Sequence, residues 1–175
     1  MVKGLLIPAR TNEPWHEIEL TELGDYQRAV GGWIEAVDIM PLASTMYVNE
    51  EGIPRGLEYN MRATMLWWFH VPPARLNAAL VGDVVVVGFP DDVGDAQDIP
   101  RHVLRDITGN DPWVVLMKIE TTWYRHRNVN RGYWEAIFWA VVKQAREPEI
   151  QDIRVATEQD AQRYPFRPIE PIGIH

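Results

Sequence analysis

Val81-Gly82-Asp83-Val84-Val85-Val86-Val87-Gly88-Phe89 carries four consecutive valines near the middle of a 175-residue chain. A segment apolar at every position offers no solvent side, so it reads as a strand buried on both faces. Upstream, Asn60 is placed to cap a helix over Met61 to His70, which Pro72-Pro73 stops. Before that helix, Thr45 to Asn49, then Glu50-Glu51-Gly52, then Ile53 onward read as a hairpin with glycine at its turn. Val2 to Ile7, Trp15 to Leu20 and Trp33 to Ile39 read as strands. Thr21 is expected to cap a helix over Glu22 to Val30. Gly31-Gly32 should end it, because glycine takes the left-handed conformation without penalty.

Downstream of the valines, Pro100 starts a short helix to Ile107, and Thr108 to Pro112 is loop. Val115, Met117, Ile119, Thr121 and Trp123 alternate with Leu116, Lys118, Glu120, Thr122 and Tyr124, predicting one continuous strand. A long helix from about Gly132 to Glu147 follows, then a strand over Ile150 to Ala156. Pro165, Pro168 and Pro171 forbid a regular helix or central strand between Tyr164 and His175. Strands and helices mix without strict alternation. The expected class is therefore α+β, with a mixed, mainly antiparallel sheet and several packed helices. The expected division is a first domain over residues 1–107 and a strand–helix–strand extension over 108–175 packed on it.

The chain is 46% hydrophobic and 24% charged, enough apolar material for a core and too much for disorder. It has no cysteine, which excludes disulfides, thiol nucleophiles and thiolate metal sites. Its 17 basic and 25 acidic side chains leave a net charge of −8, which disfavours indiscriminate nucleic-acid binding. The acidity is uneven: residues 1–100 hold 6 bases and 15 acids, residues 101–175 hold 11 and 10. Tryptophan is unusually frequent, with eight copies. The first apolar run, Leu5-Leu6-Ile7, is too short for a signal-peptide core. The densest apolar window, Tyr133 to Val142, falls short of the roughly 20 residues a bilayer span needs. A cytoplasmic protein with no membrane contact is expected.

Five ordered blocks carry a resemblance. They are Lys3-Gly4-Leu5-Leu6-Ile7-Pro8, Gly31-Gly32-Trp33-Ile34-Glu35, Tyr47-Val48-Asn49-Glu50-Glu51-Gly52, Asn60-Met61-Arg62-Ala63-Thr64 and Val81 to Gly88. Together they resemble a family of unknown function, domain of unknown function 3846, over about residues 2–107. The resemblance implies an actinobacterial or phage setting, hence the host cytoplasm if phage-encoded. It implies no activity and no catalytic residues.

Four places are chemically suggestive. Asn60 and Arg62 could meet an anion or a partner at a helix N-terminus, or serve as a cap and an ion pair within the fold. Asp91-Asp92-Val93-Gly94-Asp95-Ala96-Gln97-Asp98 fails the calcium-loop pattern, with Val93, Ala96 and His102 at ligand or glycine positions, and reads as a solvated turn. Trp123 to Trp134 interleaves Arg125, His126, Arg127 and Arg131 with four aromatics between a strand and a helix. That loop suits a nucleotide, a single strand or an acidic partner, or pairing with the acidic first part. The helix over 133–145 is apolar almost all round, so Trp139 either belongs to the core or meets a partner or a second copy.

No GxGxxG, Walker, GxSxG or HExxH pattern is present, and Ser44 is the single serine. The histidines at 16, 70, 102, 126 and 175 are too dispersed to nominate a metal site, and no cofactor is implied. The expected function is that of a non-enzymatic accessory protein of a phage or mobile element, binding a host or defence protein. The alternative is nucleotide or single-stranded nucleic-acid binding through residues 123–134.

Overall fold

The computed structural model describes residues 1–168, in two units: residues 1–108, and a second from Gly109. In the first, the valines form β5 (Val84–Gly88), the central strand of a five-stranded sheet. Its neighbours are β1 (Val2–Ile7) on one side and β4 (Ser44–Asn49) on the other. Outside them lie β2 (His16–Leu20) and β3 (Ile34–Ile39), giving the order β2-β1-β5-β4-β3, antiparallel throughout. Both sides of β5 are sealed, as a wholly apolar strand demands. Val85 and Val87 join Leu20, Tyr26 and Val30 in a core beneath α1 (Leu23–Val30). Val84 and Val86 alternate to the opposite side and are equally buried. At the end of β5, Gly88 donates its N–H to the Gln97 carbonyl at 2.9 Å. A Cβ there would stand 2.4 Å from the Asp98 carbonyl oxygen, so only glycine permits this approach.

Two local expectations for this unit need correcting. No strand follows Glu50-Glu51-Gly52: Leu57 donates to the Gly52 carbonyl and Gly52 to the Asn49 carbonyl, folding the segment into turns. Both edges of β4 are already paired, with β3 and β5, so a third partner has no place. The true reversal is the 3-10 turn Met40–Leu42, where Ala43 takes a φ of 46°. The cap of α1 is Glu22, not Thr21. The amides of Thr21 and Glu22 both donate to the Asp25 carboxylate, at 2.6 and 3.0 Å, which holds Asp25 below its ordinary pKa. Gly31 ends the helix at φ 76°, and α2 (Met61–His70) runs between the predicted signals. α3 (Arg101–Thr108) closes the unit.

The second unit contains β6 (Pro112–Ile119), β7 (Thr122–Arg131), α4 (Tyr133–Arg146), β8 (Ile150–Thr157) and α5 (Glu158–Ala161). Its strands pair antiparallel in the order β7-β6-β8. The strand predicted across Val115 to Tyr124 is in fact a hairpin, with Ile119 opposite Thr122. The turn holds Glu120 at φ 52°, so no glycine, proline or asparagine announces it. Alternation continues across the reversal and conceals it. One side of this sheet packs on α4, whose Ala136, Ile137, Ala140 and Val141 are buried. The other side collects Val114, Leu116, Trp123, Ala156, Ala161 and Tyr164.

The chain is thus α+β, built on two sheets of five and three strands whose named pairs are all antiparallel. Among the described residues no helix is long and apolar enough to cross a membrane. Pro171 and His175 lie outside the described residues.

Candidate functional site

The basic-aromatic segment expected as a loop is β7 itself. It runs as strand to Arg131, because β6 supplies hydrogen-bonding partners from Ile119 back to Pro112. Between the pairs Val114–Val129 and Leu116–Arg125, β6 has one intervening residue and β7 has three: His126, Arg127 and Asn128. This bulge adds two residues to β7 and swings them out of the ladder.

On the β-sheet side away from α4, arginines and rings are paired. The Arg125 guanidinium lies 3.9 Å from the Phe166 ring centre, and that of Arg127 lies 4.9 Å from the same centre. Arg154 sits 4.6 Å over Trp123, and Arg163 sits 5.6 Å from Tyr164. The backbone fixes this arrangement. Arg125 donates its N–H to the Pro165 carbonyl at 2.8 Å, and Arg167 donates to the Arg125 carbonyl at 3.3 Å. Residues 165–167 therefore continue the sheet beyond β7 in the parallel sense. Arg154 has Asp152 at 3.5 Å and Arg163 has Asp160 at 3.5 Å, all exposed. Arg125 and Arg127 have no carboxylate partner among the described residues, and Phe166 is 43% exposed.

His126 goes elsewhere. It lines a groove of about 240 Å³ with Asn128, Trp139, Lys143, Arg146 and Glu147, between β7 and one stripe of α4. Its Nδ1 accepts the Asn128 N–H at 3.1 Å. Burial lowers its pKa; Lys143 and Arg167 push the same way against Glu147, so the ring is neutral at pH 7. The Glu147 carboxylate is held by Lys143 and Arg167, and Arg167 also reaches Glu149 at 2.7 Å. Trp139 is 48% exposed at this groove. Arg131 uses its backbone N–H on the Glu135 carboxylate, at the entry of α4, while its side chain is exposed.

In the first unit, Asn60 is buried completely. Its Oδ1 accepts the Ala63 N–H at 3.0 Å, capping α2, while its Nδ2 donates to the Ile7 and Gly82 carbonyls, both at 2.9 Å. Arg62 is 8% exposed and donates to the carbonyls of Pro8, Arg10 and Glu13 at 2.7–2.8 Å, with Trp15 5.3 Å beyond. Asp83 accepts the Ala9 N–H at 2.9 Å. The quoted blocks around Ile7-Pro8, Asn60-Arg62 and Gly82-Asp83 therefore meet at one point, the end of β1. In the acidic loop, the Asp91 carboxylate accepts from Val93 N, Asp95 N and Gln97 Nε2, which organises a turn on itself. Among the described residues no group of three or more His, Asp or Glu side chains is placed to hold a metal ion.

Sequence reasoning singled out Arg125 and Arg127 but missed Arg154, Arg163, Tyr164 and Phe166, which belong to β8 and the segment beyond it. β8 sets Arg154 over Trp123, and nothing local in the sequence linked the two.

These features define an α+β protein with a backbone-clamped first unit and an arginine-aromatic sheet face in the second. A family model described as Domain of unknown function (DUF3846) matches residues 2–110, and the chain belongs to that family. The match covers the five quoted blocks. No curated protein and no solved structure matches the chain.

Proposed function

We propose that this chain is a non-enzymatic binding protein that holds single-stranded nucleic acid on the outer face of its second sheet. The setting suggested by the family blocks is a phage or mobile element. The observation that carries the reading is the set of four guanidiniums over three rings, at 3.9–5.6 Å, on one sheet face. An exposed ring such as Phe166 stacks a base without regard to sequence, and arginines beside it neutralise phosphates. Arg125 and Arg127 are the best placed, since no carboxylate among the described residues competes for them. The net charge of −8 opposes non-specific binding to duplex, so a local face rather than the whole protein must supply affinity.

The test is fluorescence anisotropy with labelled oligo(dT) and oligo(U) at several salt concentrations. Wild type is expected to bind both, and the double variant Arg125→Glu, Arg127→Glu to bind at least about tenfold more weakly. Removing two phosphate contacts should flatten the salt slope by about 1.4. Unchanged binding in the double variant rules the reading out. A host or defence protein as partner is the second reading, favoured by the exposed Trp139. It predicts a captured protein that the double variant retains and Trp139→Ala releases.

A further inference from the structure

The groove on the opposite side of β7 carries a separate site, which does not depend on nucleic acid binding at the outer face. We infer that it binds a small aromatic anion, a flat ring system that carries a phosphate or a carboxylate group. The two-residue bulge turns His126 and Asn128 toward the groove, opposite Trp139, Lys143 and Arg146 at helical spacing on α4.

The balance of donors and acceptors sets the charge of the ligand. His126 Nδ1 is occupied by the Asn128 N–H, so the proton of the neutral ring sits on Nε2, a donor. Trp139 Nε1, the Asn128 side-chain amide and the Arg146 guanidinium are further donors. None of these four groups has a protein hydrogen-bond partner among the described residues. The one carboxylate of the groove, Glu147, is already engaged by Lys143 and Arg167. Donors thus outnumber free acceptors, which selects an acceptor-rich anion.

The walls set its shape. The indole of Trp139 offers a flat apolar surface, and about 240 Å³ holds one ring system with its charged group. A bare phosphate would leave that surface wet. A nucleoside monophosphate and an aromatic carboxylate share the required chemistry.

Calorimetric titration of the full chain with AMP and with 4-hydroxybenzoate distinguishes these sources. Adenosine, phenol and inorganic phosphate serve as partial ligands. At least one whole ligand is expected to bind about tenfold or more tighter than either of its parts. Trp139→Ala and Arg146→Glu should each weaken it by a similar factor, while Arg125→Glu with Arg127→Glu leaves it unchanged. If circular dichroism shows either groove variant unfolded, Trp139→Leu or Arg146→Gln takes its place with the same expectation. Binding of one whole ligand but not the other identifies the source. The inference falls if neither whole ligand binds, if a part binds as tightly as the whole, or if the groove variants bind normally. The outer-face double variant separates this failure from that of the nucleic-acid reading, because it touches only the latter.

Discussion

Arginine is used in two opposite ways in the two units. In the first, Arg62 is buried and spends its guanidinium on the carbonyls of Pro8, Arg10 and Glu13. In the second, Arg125 and Arg127 lie over the exposed ring of Phe166 and have no carboxylate partner among the described residues. A guanidinium bonded to three main-chain oxygens is an architectural clamp, because removing it strands three acceptors that water cannot easily reach. A guanidinium held by a ring is positioned through its face, which leaves its terminal in-plane N–H groups available to a ligand, although the Arg125 Nε itself is buried. Sequence position does not distinguish the two roles; surroundings do.

Substitutions can break this contrast. The largest effect is expected for Arg62→Ala, about 4 kcal/mol of stability lost from the first unit, read by urea unfolding. A loss under about 1 kcal/mol would show that the clamp is ornamental. Asn60→Ala should cost about 3 kcal/mol, combining a lost cap with two stranded carbonyls, and the same unfolding curve measures it.

Acid supplies the next test. Burial pushes His70 down to about 4. The unfolded chain takes up a proton near pH 6.5, whereas the folded chain resists until near pH 4. Stability from this group is therefore complete above the unfolded pKa and declines as pH falls through that window. The ceiling is about 3 kcal/mol. Urea midpoints at neutral and acid pH should converge in His70→Gln relative to wild type. An identical acid response in the variant would assign the pH dependence elsewhere.

The smallest effect on stability is expected at the outer face. Arg125→Glu with Arg127→Glu should cost about 1–2 kcal/mol, the scale of partly buried cation–π pairs, in a thermal melt. A cost near that of Arg62→Ala would mean that these arginines, too, are structural clamps.

How much of this could be read from sequence depends on whether the signal was local. The valines of β5, the Asn60 cap and the Gly31 stop each act through their own neighbours, and each element stands where its signal put it. The β6–β7 reversal was hidden because Glu120 takes a left-handed conformation without a residue type that favours it. The reversal after β3 was hidden for a related reason: Ala43 takes positive φ after a proline-containing turn. At the candidate site, the wealth of arginine and aromatics near 123–134 was visible. The sharing of faces was not. Assigning Arg125 to one side and His126 to the other needed the strand, and Phe166 came from 41 residues away in sequence, the difference between 166 and 125.

The place of β5 in the first sheet governs the order of events during synthesis. β1–β2 and β3–β4 can each form as a local hairpin while the ribosome is still copying the region between residues 50 and 84. The strand that joins them is made last and must enter between β1 and β4. Until it does, each hairpin presents an unpaired inner edge, a template for a neighbouring nascent chain. Closing the sheet then brings together segments about eighty residues apart, a slow step for a small domain. Four valines in sequence make that late strand insoluble alone and decisive once inserted.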